Sequence, residues 1–485
     1  MTLALMTAVP AVTALLLVIL GSRIGRGVSA IGGAGALVIA LGAAGAVGQA
    51  FAAGKTSVLA ELGPWLPIRG AAIAFIVDAH TVWLLVAIAA IGAVVGVYAA
   101  VRLRRDPAVV RFFIALDVLV ASLLIVLMAR DLILLLAGSQ GVGVAVYLLI
   151  AQERGTPNAS AAASRAFVLA RAGDAALVIA VLGLLALFQT VDLEQISGRL
   201  TASAPARPAE LIAASVLIVV AALIRIAQLP FQEWLPDRSQ THAASLAAVH
   251  GLATTAGAFL LIRLAPVVDP AALLAAAAVG IASAIVGMLA VLADRRSPFL
   301  RWSTVAQLGI VTATCAVGSP YLGLIVIGSG VVRAFVAALG ERRPRVARLL
   351  SAIGVLAAAV ALGLGSPPAP LLAGVLVVAV LTAVDALLVL AGGRTRAVTP
   401  AIVLRGGVAR TSVSVGAWTA GLFHMTVTLL ERGGEQAGGM VEDALVRAAG
   451  RVSVAVDRFH RSSLWAHEAL LLAAAFAIVL YWIVR

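Results

Sequence analysis

The chain is poor in charge, in aromatic residues, in cysteine and above all in lysine. Charged residues fill 12% and aromatic residues 5% of its 485 positions, against 62% hydrophobic residues and a mean hydropathy of +1.10. So small a polar complement excludes a soluble globular domain and a disordered chain, and leaves a polytopic membrane protein. Cys315 is the only cysteine, which excludes an internal disulfide and says nothing of redox compartment. No cysteine or histidine cluster has metal-ligand spacing, so no metal is expected. Lys55 is the only lysine, so the apolar segments offer no amine that takes up and releases protons.

What the chain does have is a series of apolar runs long enough to cross a ~30 Å hydrocarbon core as helices. They lie near 3–21, 28–53, 71–101, 110–129, 132–151, 164–188, 210–229, 243–265, 271–293, 299–318, 320–340, 348–365, 370–392 and 465–484, about fourteen spans. The first has no basic leader and no small-residue cleavage site, so it reads as a retained span. The formal charge of +13 comes from arginines in short loops. Arg23 and Arg26, Arg102 with Arg104 and Arg105, and Arg154 with Arg165 follow the first, third and fifth spans. Arg295, Arg296 and Arg301, then Arg342, Arg343, Arg345 and Arg348, then Arg394 and Arg396 follow the ninth, eleventh and thirteenth. That alternation is the positive-inside pattern. It predicts an integral protein of a bacterial cytoplasmic membrane with its N-terminus outside, partnered by the lipid bilayer and not by nucleic acid.

The expected fold class is all-α, a polytopic membrane helix bundle with two inverted-repeat halves containing broken helices. Residues 1–109 form N-terminal transmembrane helices, 110–265 a first helical repeat and 271–393 a second. Pro230 and Pro236 interrupt the first repeat late, and Pro367, Pro368 and Pro370 occupy a similar place in the second. Paired interruptions mark a transporter pathway, although the second set equally suits a loop between spans. Residues 397–463 mix apolar residues with acids and arginines as in a helix lying along a surface, and 464–485 form a C-terminal anchor. GGAGA from Gly32 and GVG from Gly141 read as close helix packing and not as phosphate loops.

The stretch RIAQLPFQEWLPDRSQTHAASLAAVH, from Arg225 to His250, carries the most chemistry. Two prolines break a helix in an apolar context, with ionisable groups around the break. It resembles the AQLP and WLPD motifs of the antiporter-like, proton-translocating subunits of respiratory complex I, the NADH-quinone oxidoreductase subunit L family. Four more blocks follow the same family's order and spacing: RFFIALDVLVAS from Arg111, DLILLLAGSQGVGVAVYLLI from Asp131, RAFVLARAGDAALV from Arg165 and RWSTVAQLGI from Arg301. The resemblance covers about Asp78 to Gly309, with a weaker echo of a lateral helix and terminal anchor at the C-terminus, where a simple juxtamembrane tail is the other reading.

Carried over position by position, the resemblance implies a changed pathway. Gln140 stands where the family has glutamate, and Arg225 where it has the broken-helix lysine. Ile325, Ser329 and Arg333 replace two histidines and a lysine, and Val375 falls near a late-channel lysine. His242 takes the place of a proline. A desolvated lysine can load and release a proton near neutrality; arginine stays charged to pKa ~12, and glutamine does not titrate. A guanidinium at membrane depth needs a partner, and Asp174, Glu233 and Asp237 are the candidates. Arg171 and Asp174, three apart, match the family's TRxGD block and either pair in place or relay protons. His250 matches a family histidine and is either a relay member or a hydrogen-bonded core residue. Asp117 and Asp385 read as buried in spans. Glu233, Asp237 and His242 read as lining a watery mouth at the break.

The proton-pathway candidates are therefore Asp174, Arg171, Arg225, Glu233, Asp237, His250, Gln140 and Arg333. No catalytic site and no cofactor are expected in this chain. The first expectation is a divergent subunit L-like component of a complex I-type or related antiporter assembly, partnered by other membrane subunits and moving protons in weakened or rerouted form. The alternative is the membrane subunit of an inorganic-carbon uptake complex, to which FLLIRLAP from Phe259 is similar. A non-conducting scaffold subunit is the third.

Overall fold

A computed structural model describes residues 2–383, apart from 80, 153–156, 203–207, 294–298, 320–321, 340–343, 365–371 and 373–374. The chain divides into two units, Met1–Arg396 and Ala397–Arg485. The second, with the expected amphipathic segment and anchor, lies outside the described residues, as do the prolines at 367, 368 and 370 and Asp385.

The first unit is a helical bundle. Its helices are α1 (Thr2–Ile24), α2 (Arg26–Ala52), α3 (Val82–Arg102), α4 (Val109–Met128), α5 (Leu132–Ile150), α6 (Pro157–Phe188), α7 (Leu193–Ala202) and α8 (Ala209–Arg225). They continue with α9 (Ala243–Ala248), α10 (Thr255–Leu264), α11 (Pro270–Ala293), α12 (Phe299–Val317), α13 (Leu322–Leu339) and α14 (Pro344–Leu364). Among the described residues, nine helices are long and apolar enough to cross a bilayer, the α9–α10 stretch being counted as one. Large apolar side chains such as Ile31, Val168 and Leu182 point outward, a surface suited to acyl chains and not to water. The helices pack through small residues: a Cβ at Gly309 of α12 would lie 2.3 Å from the Gly280 carbonyl of α11, so the two backbones touch there.

The sequence places a span at 71–101, and the structure divides that run. Strands β1 (Ser57–Pro64) and β2 (Ala72–Asp78) form an antiparallel hairpin, and the helix starts only at Val82. AIAFIVD is β-branched and aromatic, and the polar residues Asp78, His80 and Thr81 before the helix make too short an interval for hydropathy to divide the run. Gly70, at φ 85°, turns the chain into β2, and a Cβ there would strike Thr190 Oγ1 at 2.6 Å.

The hairpin is tied to the bundle between α4 and α7. Arg130 N–H donates to Ala74 O at 3.1 Å, Leu132 N–H to Val191 O at 2.9 Å and Leu193 N–H to Arg130 O at 3.1 Å. The Arg130 guanidinium pairs with Asp192 at 3.1 Å, Glu194 at 3.5 Å and Glu61 at 3.8 Å. Asp131 caps α5, its Oδ1 accepting from the Ile133 and Leu134 amides at 2.9 and 2.8 Å. Burial, helped by neighbouring Asp192, pushes the Asp131 carboxyl up to about 6 against the pull of those amides.

Two outcomes follow. Gly309→Ala lowers stability by about 1–3 kcal/mol through overpacking, whereas Gly32→Ala, which meets nothing within 4 Å, leaves the unfolding midpoint in detergent unchanged. Because the folded Asp131 pKa lies above its unfolded 3.8, its stabilising contribution is full below pH ~4 and is lost as pH rises through about 6. Wild type should therefore lose about 3 kcal/mol relative to Asp131→Asn between pH 4 and 7; a constant difference between the two proteins would contradict this.

Candidate functional site

The site forms where α8 stops. Ala227 takes φ 55°, Leu229–Pro230 is cis, and the chain makes a single 3-10 turn at Gln232–Trp234 before α9 begins. A helix ending inside an apolar bundle exposes carbonyls that must be satisfied by protein. Gln228 N–H donates to Leu223 O at 3.0 Å and Ile226 N–H to Ala222 O at 2.8 Å. The Trp234 indole turns back to donate to Ile224 O at 2.8 Å. Leu229 N–H donates to Ser283 Oγ of α11 at 3.2 Å, and Thr241 Oγ1 to Leu149 O of α5 at 3.1 Å. The break is thus real, as the prolines imply, and it is anchored from several helices, with Gln228 Oε1 and Gln232 Oε1 left buried without a hydrogen bond.

Just before it, Arg225 is 6% exposed and its Nη2 donates to Asp174 Oδ1 in a tight ion pair. The other oxygen, Oδ2, pairs with Arg171 Nη2 at 2.8 Å, and Arg171 Nη1 donates to Gln140 Oε1 at 2.7 Å. Gln140, Arg171, Asp174 and Arg225 therefore form one chain of contacts in which a single carboxylate is shared by two guanidiniums. The Arg171 guanidinium also lies over the Phe167 ring, 5.2 Å from its centroid. Gly143 makes room: a Cβ there would sit 2.8 Å from Arg171 Nη2. A cavity of about 20 Å³, walled by Val142, Val146, Ala166 and Ala170 with Arg225 at its edge, has room for about one water.

Glu233 and Asp237 do not join this set. Both pair with Arg301, through Nη1 and Nη2 at 3.0 Å each. The physical reason is direction: α8 ends with its guanidinium facing α6, whereas the break carries the two acids across to α12. Their side chains are 55% and 24% exposed, His242 is 35% exposed and its ring lies 3.9 Å from Asp106, so the three stand at a partly open edge of the break.

His250 is 0% exposed and fully hydrogen-bonded. Its Nε2 lies 2.9 Å from Pro236 O and its Nδ1 2.8 Å from Thr304 Oγ1. A carbonyl only accepts, so the neutral ring carries its proton on Nε2 and takes the threonine hydroxyl on Nδ1. The residue sits in a π-helical turn, Val249–Ala253. There the Thr254 amide bonds to Val249 O at 3.2 Å, five residues back. That frees the His250 carbonyl to accept from Arg333 Nε at 2.7 Å and Thr254 Oγ1 at 2.9 Å. Arg333 is therefore placed beside His250, and apart from the Asp174 group. Ser329 bonds back to Val326 O at 3.1 Å, and Ile325 and Val375 are buried. Asp117 is 0% exposed with neither carboxyl oxygen hydrogen-bonded. Among the described residues, no cluster of His, Cys, Asp or Glu has the form of a metal site.

Sequence reasoning named Asp174, Arg171, Gln140 and Arg225 among eight pathway candidates, without separating them from Glu233, Asp237, His250 and Arg333. It missed Arg301, which it counted as a loop cation, and Gly143, Thr304 and the Pro236 carbonyl.

Residues 129–338 match the family model described as NADH:quinone oxidoreductase/Mrp antiporter, TM. The chain is 31% identical over 260 residues to NADH-quinone oxidoreductase subunit L of Mycobacterium tuberculosis, covering 52% of this chain and 41% of that protein. It is 30% identical over 269 residues to the Escherichia coli subunit L, covering 54% and 43%. It is 29% identical over 238 residues to the probable inorganic carbon transporter subunit DabB1 of Halothiobacillus neapolitanus, covering 48% and 43%. The chain thus spans well under half the length of these relatives. In fold it is similar to a chain of the Mrp complex from Dietzia sp. DQ12-45-1b, with a TM-score of 0.62 at 21% identity over 100% of this chain and 63% of that one. A chain of respiratory complex I from Thermus thermophilus gives a TM-score of 0.65 at 19% identity over 80% and 88%. The match over residues 129–338 bears out the resemblance to the subunit L family read from the sequence.

Asp174→Asn leaves the buried Arg225, and the part-exposed Arg171, without their shared carboxylate and should cost about 3–5 kcal/mol of stability. Adding Arg225→Gln should recover most of that. Detergent unfolding curves of wild type, both single variants and the double variant measure the coupling; additive losses would show that the shared carboxylate does not hold the two arginines.

Proposed function

We infer that this chain is a membrane subunit of a complex I-like or Mrp-like antiporter assembly whose proton route through the first half is weakened or displaced. One observation carries the reading. The shared carboxylate Asp174 is held between Arg225 and Arg171, with Gln140 closing the set, so the place of a switchable amine is taken by a fixed ion pair. Proton hopping needs a group that exchanges its proton near working pH. Arginine does not, and an amide does not titrate.

Chemistry on NADH or quinone falls to other subunits under this reading, and this chain contributes its membrane module. Its orientation, N-terminus outside in a bacterial cytoplasmic membrane, is supported by arginines at the α1–α2, α3–α4 and α13–α14 junctions. A second reading, the membrane subunit of an inorganic-carbon uptake pair, is favoured by the 29% identity to DabB1 over a similar share of the chain.

Affinity purification in mild detergent separates the two: quinone-reductase or antiporter subunits co-purify under the first, and a soluble carbonic-anhydrase-like partner under the second. In pH-gradient liposomes the unmodified protein should conduct protons slowly or not at all, and Arg225→Lys with Gln140→Glu should raise the flux. Fast flux in the unmodified protein that survives Asp174→Asn and His250→Gln would end the reading.

A further inference from the structure

The buried arginines of the bundle are not equally satisfied. Arg225 has Asp174, and Arg301 has Glu233 and Asp237. Arg333, on α13, has neither. Its residue is 1% exposed, its Nε is spent on the His250 carbonyl, and Nη1 and Nη2 have no hydrogen-bond acceptor. No described carboxylate lies in ion-pair range. Asp117, equally buried and equally without hydrogen bonds, is a different case, because a carboxyl can become neutral by keeping its proton. A guanidinium cannot shed its charge, and a bare charge in a low-dielectric interior demands a counter-charge or water.

The surroundings favour a negative guest. Arg238 acts together with Arg333 on the neutral His250 ring, while the charge of Arg301, which also acts on it, is taken up by Glu233 and Asp237. The walls next to Nη2 also lack competing side chains. Gly330 lies three residues before Arg333, and a Cβ built on it would be 3.8 Å from Nη2 and 3.3 Å from both Gly251 O and Ile91 Cδ1. Backbone and a methyl group border the guanidinium there.

We propose that the four unspent N–H groups of Arg333 hold a small inorganic monovalent anion, of halide or bicarbonate size, inside the bundle. The guanidinium fork is built to donate paired hydrogen bonds to such a guest. The site stands apart from the Asp174 group and does not depend on whether protons cross the protein.

The test uses the full chain in mild detergent at constant ionic strength and pH. Thermal midpoint and equilibrium dialysis with labelled chloride, and separately with labelled bicarbonate, are compared against gluconate, which is too large to enter. Chloride, bicarbonate or both should raise the midpoint saturably and bind near one per chain, and the two labels tell which. Arg333→Gln should weaken binding at least tenfold, whereas Arg23→Gln at the exposed end of α1 should not. If Arg333→Gln does not fold, Arg333→Lys, which keeps the charge but loses the fork, should bind with intermediate strength. Equal midpoints in gluconate, chloride and bicarbonate with no label retained would mean that water alone solvates the guanidinium, and unchanged binding in both Arg333 variants would put the anion elsewhere; either overturns the proposal.

Discussion

Inside a bilayer no bulk water is available to hydrogen-bond a peptide group, so each residue that leaves helical geometry must find partners in the protein. The seventeen residues between Arg225 and Ala243 leave it almost completely. Their anchors come from many directions: Ile224 on α8, Ser283 on α11, His250 in the π turn, Arg301 on α12, Leu149 on α5 and, through Arg238, Val336 on α13. These anchors reach from the first helical block into the second, so the irregular segment is the node that couples them. The backbone contact between Gly280 and Gly309 then brings α11 and α12 close enough for Ser283 and Arg301 to reach it.

Around that node the charges are arranged as three separate solutions to one problem. Arg225 shares a carboxylate, Arg301 takes two partly exposed carboxylates, and Arg333 spends one N–H on a carbonyl. The first two are fixed structural pairs of the kind that break even against desolvation only when hydrogen bonding is complete. His250 belongs to the same framework: with both ring nitrogens engaged and cations on several sides, it braces the break against α12.

The helical bundle was legible because apolar runs of span length are a one-dimensional signal, the Arg171–Asp174 pair because of its i,i+3 spacing, and the break because the prolines mark it. The hairpin was not, because the polar interval between Ala72–Asp78 and the helix from Val82, carried by Asp78, His80 and Thr81, is too short to split the apolar run by hydropathy. Arg301 was hidden for a different reason. Its neighbours Arg295 and Arg296 make it look like part of a cytoplasmic loop, yet it falls within the first turn of α12 and is 9% exposed. Which acid serves which arginine was also out of reach, since Asp174, Glu233 and Asp237 are equally acidic on paper and only the direction of each helix end separates them. The π turn leaves no mark in VHGLA, because its widened winding is imposed by what it packs against.

That turn has a consequence for how the chain tolerates change in length. A π turn holds one residue more than the α-helical path it replaces, so deleting one position from Val249 to Ala253 would rewind it to regular pitch with the rest of the helix still in register, whereas one further inserted residue would swing the rest of the helix by about 100°. Gly257, whose missing Cβ lets α10 lie against the Ala222 carbonyl, would rotate off that contact and a bulkier residue would take its place. Within the turn the identity of one residue is constrained as well, since a Cβ at Gly251 would meet Ala334 Cβ of α13 at 2.7 Å.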